Sequence, residues 1–485
     1  MIVYVDSFIK FESENNLFKK DINGFKYWHS IRKLVFDDLL DQKESIGEAH
    51  TSLAKQSYNK RVWLKMKQFR YWILKNPFIA LKEKDILVFN HQRRVKNSGY
   101  YDCIYTDAIL DKVNYSHYVF ELPHLERHFT PVRTKNLRYL DYLTFKVAIQ
   151  VELKRKILRI GLPEQTKVEL ENILECIDKV FEIKINRNKI LRSLESAYLS
   201  YKPSRSYYNK ILNRTKPRLI IEVVSYGRNN LILNELAKEK GIPTIELQHG
   251  IMGNQHIAYN FANKMDLPTF PDYIFAFGQY WKDNTRLPID DDKVKIVGWP
   301  YYEQKLNKYK QKSISNDRDK KTILFISQGT IGEELSKIAV ELFRSFNNDE
   351  YRIIYKLHPG EYARWKDEYP WLIDSGIEVI DHNLRDMHYY FAQSDIQIGV
   401  GSTAIYEGLG YGLATIIIEL YGHQVMATLY DELKIAYLAK NAEDVLCILK
   451  NIGSQMRDHD MSYFWMANSM DNVKHEINKI IEDER

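Results

Sequence analysis

The feature that most constrains this chain is a strand–helix–strand alternation that runs through it twice. Residues 218–224 (RLIIEVV) form a mostly apolar run. Residues 230–240 have helical character and stop at Gly241, and residues 242–247 form the next apolar run. A strand, a helix and a strand in that order predict parallel pairing, with the helix laid across the sheet. The same first series includes a buried strand at 85–89, further strands at 101–105, 118–120, 273–277 and 295–298, and a strongly helical stretch at 145–200. A polar segment at 309–320 (YKQKSISNDRDK) has no apolar periodicity and is expected to be a linker. A second series follows, with strands at 322–326, 351–357, 377–380, 395–400 and 414–419. Its helices are expected near 335–342, 387–391 and 403–410, the first opened by a Thr330–Glu333 capping box. The expected fold is α/β, with two Rossmann-like domains facing a cleft. Residues 1–308 form an N-terminal acceptor-binding domain with helical insertions, and 321–455 a nucleotide-donor-binding domain. Residues 456–485 form a tail helix whose Val473, Ile477, Ile480 and Ile481 share one face and pack back on the N-terminal domain.

Composition sets limits on this reading. A chain of 485 residues is too long for one ordinary core. Its 45% hydrophobic and 28% charged residues are those of a globular protein. A net charge of +6 is mild and does not imply nucleic acid. Cys103, Cys176 and Cys447 are far apart and offer neither a disulfide framework nor a cysteine zinc site. The start, MIVYVDSFIKFES, lacks the features of a secretory leader, and no stretch approaches the length of an apolar span. The expectation is a cytoplasmic protein, peripheral at the cytoplasmic face of the inner membrane. Contact with that surface is expected through residues 59–82, where Lys60, Arg61, Lys65, Lys67, Arg70 and Lys75 surround apolar residues at helical spacing, with Trp63, Phe69, Tyr71 and Trp72 among them. The alternative for this stretch is a core-packed helix with a cationic outer face.

In parallel sheets, ligands gather beyond the carboxyl ends of strands, and several chemically suitable residues follow strands here. Gln248-His249-Gly250 follows 242–247, with His256 further along the same loop. An imidazole titrates near neutrality and can accept a proton from a hydroxyl. Ser327-Gln328 follows 322–326 and offers donor or acceptor contacts. Lys356-Leu357-His358-Pro359 ends 351–357, and the two cationic side chains at a spacing of two suit a phosphate. Gly401-Ser402-Thr403 follows 395–400, where a glycine permits close approach and two hydroxyls begin a helix. Glu407 lies one turn further on the same face and can accept both hydroxyls of a ribose. Asp290-Asp291-Asp292 is expected to be a solvated turn, so no metal site is expected.

The segments LHP (357–359), SD (394–395), GSTAIYEG (401–408) and ELQHG (246–250) resemble those of GT-B transferases of bacterial envelope polymers. These include the CDP-glycerol glycerophosphotransferases of teichoic acid synthesis and the capsule transferases that use CMP-activated sugars. The resemblance covers roughly residues 215–420. It implies that His249 is a catalytic base, that His358 and the Ser402-Thr403 pair hold the donor phosphate, and that Glu407 holds the ribose. Leu-Gln stands before the HG pair, where the polymerases have Trp, and this favours sugar transfer over polyol-phosphate transfer. The implied activity is metal-independent glycosyl transfer from a nucleotide-activated sugar (CMP-, UDP- or similar) to a growing surface glycan or lipid-linked acceptor. The nucleotide sugar is the substrate, and no cofactor is expected. Polyol-phosphate transfer, nucleotide-sugar epimerisation and a non-catalytic scaffold are the alternatives.

Overall fold

The computed structural model describes residues 2–43, 71, 73–92, 94–97, 99–124, 127–310, 320–346, 350–452 and 460–483. Thirteen strands build two wholly parallel sheets. The first holds β1 (Ile86–Phe89), β2 (His117–Glu121), β3 (Leu137–Tyr139), β4 (Leu219–Val223), β5 (Thr244–Leu247), β6 (Tyr273–Ala276) and β7 (Val294–Ile296). The second holds β8 (Lys321–Ile326), β9 (Tyr351–Lys356), β10 (Glu378–Ile380), β11 (Ile396–Gly399), β12 (Ala414–Ile418) and β13 (Tyr437–Ala439). The spatial order of the first is β3-β2-β1-β4-β5-β6-β7, and that of the second is β10-β9-β8-β11-β12-β13. Both follow the doubly wound order of a Rossmann-like sheet. The fold is therefore α/β with two such units, the GT-B arrangement.

The strands are apolar on both faces because helices cover both. Side chains alternate across a strand. Thus Ile86 and Val88 join one cluster while Leu87 and Phe89 join the other. The second of these clusters is covered by α1 (Ile2–Glu14), α2 (Trp28–Lys43), α3 (Asp141–Lys156), α4 (Glu164–Phe181), α5 (Arg187–Thr215) and α6 (Arg228–Glu239). From β7 the chain enters α7 (Pro300–Lys310). Within the second unit the site is framed by α8 (Gly332–Ser345), α9 (Met387–Ala392) and α10 (Thr403–Leu409). The chain ends in α11 (Ser469–Asp483), whose Val473, Ile477, Ile480 and Ile481 are buried against the first sheet beside Ile86, Val119 and Ile221. Their spacing is that of a single helical stripe.

The return path to the first unit is tightly fitted. Trp281 donates its indole N–H to Phe464 O at 2.9 Å, and Trp465 donates to Tyr406 O at 3.0 Å. Gly298, at φ 83°, leaves no room for a side chain, since a Cβ there would lie 2.2 Å from Met466 O. A third core joins the units, with Ile274 and Trp299 of the first packed in one cluster with Leu324, Ile326 and Tyr406 of the second.

Several local expectations change. Tyr100–Asp102 does not enter the main sheet; it pairs antiparallel with Val95–Asn97 in a small hairpin turned at Gly99, and Tyr105 lies in a turn. The Thr330–Glu333 capping box does not form. Ile331 N–H bonds back to Gln328 O, so a turn precedes the helix and α8 begins at Gly332 with Ile331 as an unbonded cap. The helix α7 runs through Tyr309 and Lys310, and 311–319 of the expected linker lie outside the described residues. Of the basic aromatic stretch at 59–82, residues 59–70 and 72 lie outside them as well. Among the described residues, no helix is long and apolar enough to cross a membrane.

Candidate active site

The strand orders locate the site before any side chain is considered. In each sheet the winding direction reverses once, between β1 and β4 and between β8 and β11. Loops leave these pairs in opposite directions and open a crevice at the strands' carboxyl ends. In the first unit this crevice is bordered by Asn90-His91 and Ser225-Tyr226. In the second it is bordered by Ser327-Gln328 and Gly401-Ser402. The two crevices face each other, and Gly250 marks the contact: a Cβ placed on it would sit 3.7 Å from Thr403 Oγ1. His249 of the first unit is thereby one residue from the helix start of the second.

His249 is held from several sides. Its carbonyl accepts the Tyr105 hydroxyl at 2.7 Å. Its Nε2 lies 3.3 Å from Tyr226 Oη, and its Nδ1 lies 3.5 Å from Tyr259 Oη and 3.7 Å from Glu246 Oε1. Glu246 is fully buried in β5, and its Oε1 accepts both the Tyr259 hydroxyl at 2.6 Å and Ser225 N–H at 3.1 Å. An acceptor oxygen beside Nδ1 favours the tautomer protonated there and leaves Nε2 as the basic nitrogen. Burial, then the nearby His256 and His91, push the His249 pKa down to about 3. The ring is therefore neutral at neutral pH, with a free lone pair but a lower basicity than an imidazole in water. His256 Nδ1 accepts Ala258 N–H at 3.3 Å and caps a short 3-10 turn, and its ring lies 5.5 Å from that of Tyr226 at the crevice border.

On the opposite side, α10 begins with Ser402, whose Oγ accepts Ala404 N–H at 3.3 Å, and with Thr403 facing Gly250. Gln328 is spent on the same loop. Its Oε1 accepts Gly401 N–H at 3.1 Å and its Nε2 donates to Gly401 O at 3.2 Å. Gly401 does not serve open approach to a ligand: a Cβ there would sit 2.9 Å from Gly422 O and from Val425 Cγ2, so the glycine lets two loops pack. Ser327 is buried and donates to Glu361 Oε1 at 2.9 Å, inside the domain.

The expected Lys356–His358 pair is not presented together. Lys356 is buried, its ammonium donating to Leu357 O at 3.0 Å and to the Tyr362 hydroxyl, and burial pushes its pKa down to about 8. His358 lies on the exposed turn beyond the strand. Its N–H donates to Glu361 Oε2 at 2.6 Å, and its Nδ1 accepts Gly360 N–H at 3.1 Å. The strands of His358 and Gly401 are not neighbours, because β8 lies between β9 and β11. Two strand spacings, roughly 10 Å, separate them.

Glu407 follows Thr403 by one turn. Burial, then the charge of Asp386, raises its pKa to about 8. Its Oε2 lies 3.6 Å from His388 Nε2, and His388 Nδ1 lies 3.2 Å from the Tyr411 hydroxyl. Asp386 is paired with Lys305 of α7 at 2.5 Å. The acid therefore sits in a polar nest that couples α7 to α9 and α10. Asp290-Asp291-Asp292 lies at a short 3-10 turn, where Asp291 pairs with Lys264.

The residues that sequence reasoning missed are Glu246, Tyr226, Tyr259, His91 and His388. Only Glu246 carried a legible signal, as a carboxylate inside an otherwise apolar strand. His91 follows β1 at the reversal point, with its ring centroid 6.3 Å from that of His249.

No protein-family model matches the chain, and no curated protein does. Among solved structures, the chain is similar to UDP-GlcNAc 2-epimerase of Methanocaldococcus jannaschii in complex with UDP-GlcNAc and UDP. The identity is 13%, the match covers 81% of this chain and 99% of that one, and the TM-score is 0.46. It is also similar to the UDP-GlcNAc 2-epimerase of Neisseria meningitidis bound to UDP-GlcNAc, at 13% identity, 81% and 99% coverage and a TM-score of 0.45. The wall teichoic acid polymerase TagF is similar at 11% identity, 88% and 99% coverage and a TM-score of 0.44.

Proposed function

We propose that this chain is a glycosyltransferase that moves a sugar from a nucleotide-activated donor to a hydroxyl of a glycan or lipid-linked acceptor. The observation that carries this reading is the meeting of a neutral, partly exposed His249 on the first unit with the Thr403 helix start on the second. The donor lies on the second unit. Its phosphates run between the Ser402-Thr403 hydroxyls and His358, and its ribose hydroxyls bond to Glu407. The acceptor enters from the first unit. His249 Nε2 takes the acceptor proton, the new C–O bond forms at the anomeric carbon, and the bond to the donor phosphate breaks, releasing the nucleotide. The phosphate contacts stabilise the leaving charge. Tyr259 and Glu246 act as positioning residues by holding the tautomer of His249.

The test is incubation of the protein with single nucleotide sugars, with and without a polysaccharide or lipid acceptor, with nucleotide release followed by chromatography. Acceptor-dependent release that is lost in His249→Ala supports the reading. Conversion of the donor sugar without any acceptor would assign an epimerase. Consumption of CDP-glycerol in preference to every nucleotide sugar would assign polyol-phosphate transfer.

A further inference from the structure

Helix α3 is apolar on two opposite faces. Leu143, Val147 and Val151 are buried in the core that includes α5. Ile149 and Leu153, about half a turn away, stand 40% and 46% exposed. The connector to α4 then presents Ile157, Leu158 and Ile160 at 69%, 63% and 43% exposure, with Arg159 in the left-handed region at φ 51°. A helix with one side in water ordinarily carries polar residues there, and a cluster of exposed aliphatics marks an interaction surface.

The charge around these residues is a cationic excess, with Glu195 of α5 beside Gly161 and paired with Arg155 at 3.2 Å. Between residues 142 and 163 the chain carries Lys146, Lys154, Arg155, Lys156 and Arg159 against the single acid Glu152. Lys156 is well exposed, and its partner Glu152 is shared with Arg155. At the other end of α3, Phe78 packs against Tyr142 with ring centroids 6.1 Å apart, and the segment it anchors exposes Ile73, Leu74 and Ile79. Protein interfaces are poor in lysine, whereas this face is lysine-rich, and its exposed apolar residues are aliphatic apart from Phe145 at 42%. Aliphatic side chains that enter the acyl boundary, flanked by cations that reach phosphate headgroups, are the chemistry of a bilayer interface.

We propose that the outer face of α3 and the Ile157–Ile160 connector form a docking surface for an anionic phospholipid bilayer. The surface adjoins the 59–82 stretch read from sequence through Phe78 and Tyr142, and it stands independently of the transferase reading. The bilayer holds the protein by insertion of Ile157, Leu158 and Ile160, with Lys156 and Arg159 on the lipid phosphates.

The experiment is co-sedimentation of the full chain with vesicles of equal parts phosphatidylglycerol and phosphatidylethanolamine, and with vesicles of phosphatidylcholine alone. The wild type is expected to sediment with the anionic vesicles, more weakly as salt rises. Ile157→Ser/Leu158→Ser/Ile160→Ser is expected to bind at least about tenfold more weakly, with an unchanged melting temperature because the sites are exposed. Lys156→Gln/Arg159→Gln is expected to lose the preference for anionic lipid. Failure of the wild type to sediment with anionic vesicles would overturn the proposal, as would wild-type binding by the triple serine variant. Self-association in sedimentation velocity that the serine variant loses, without vesicle binding, would assign the face to a second copy of the chain and equally overturn it.

Discussion

Arg32 is the residue whose removal the structure weighs most clearly. Its guanidinium is almost wholly buried, bonds Glu12 at 2.7 Å through Nε and Nη2, and donates to Ile257 O at 2.6 Å and Asn260 O at 2.5 Å. Those two carbonyls belong to the loop that runs on from His249, so two N-terminal helices fix a loop of the site. Arg32→Leu leaves the Glu12 carboxylate buried without its cation, a loss of about 3–5 kcal/mol. Glu12→Leu/Arg32→Leu removes both charges. What remains is the Trp28 indole N–H, which now donates to Glu12 at 2.6 Å, and the two carbonyls, all left without partners. That residue of the effect is about 1–3 kcal/mol. The double variant should therefore be about 2 kcal/mol more stable than the Arg32 single variant. Urea unfolding followed by tryptophan fluorescence reads the stability, and hydrogen exchange reads the loop, whose amides at 250–260 should exchange faster in the single variant. An Arg32→Leu protein within about 0.5 kcal/mol of wild type would show that Glu12 does not depend on this cation, as would a double variant less stable than the single.

Three other outcomes follow from named contacts. Burial holds His29 and His249 at about 3 and His256 and His388 at about 4, below their ordinary 6.5, so the unfolded chain binds more protons between those values. The stability they contribute is present above pH 6.5 and is lost as pH falls through about 4 and 3; a melting temperature flat from neutral pH to about 4 would contradict this. Glu407 has the opposite sign: its pKa, raised from 4.5 to about 8, means stability is full below pH 4.5 and lost as pH rises through about 8. Glu407→Gln should flatten that alkaline loss in a series of melting curves. Gly298→Ala meets Met466 O at 2.2 Å in a left-handed backbone, and should cost roughly 2 kcal/mol or more and expose the α11 tail to limited proteolysis.

Most strands of the two sheets were legible as short apolar runs between polar turns, and α11 because Val473, Ile477, Ile480 and Ile481 repeat at helical spacing, whereas the three-residue edge strands β3 and β13 are too short to show a pattern. The reversal points were not legible, because which strands are neighbours depends on winding and not on local pattern. No local pattern shows that β8 lies between the strands of His358 and Gly401. The burial of Lys356 was hidden for a related reason: its partners, Leu357 O and the Tyr362 hydroxyl, appear only when the turn after β9 folds back. Gly401 was expected to make room for a ligand but makes room for Gly422 and Val425, a contact between loops. The Arg32 link to Asn260 joins residues 228 positions apart and leaves no trace in spacing.

The most direct test of the central claim is isothermal titration of nucleoside mono- and diphosphates into wild type, Glu407→Ala and His249→Ala. At least one nucleotide is expected to bind the wild type, Glu407→Ala to lose it, and His249→Ala to keep it while acceptor-dependent transfer disappears. Absence of binding by every nucleotide, or equal binding by wild type and Glu407→Ala, would contradict a donor site at the strand ends of the second unit.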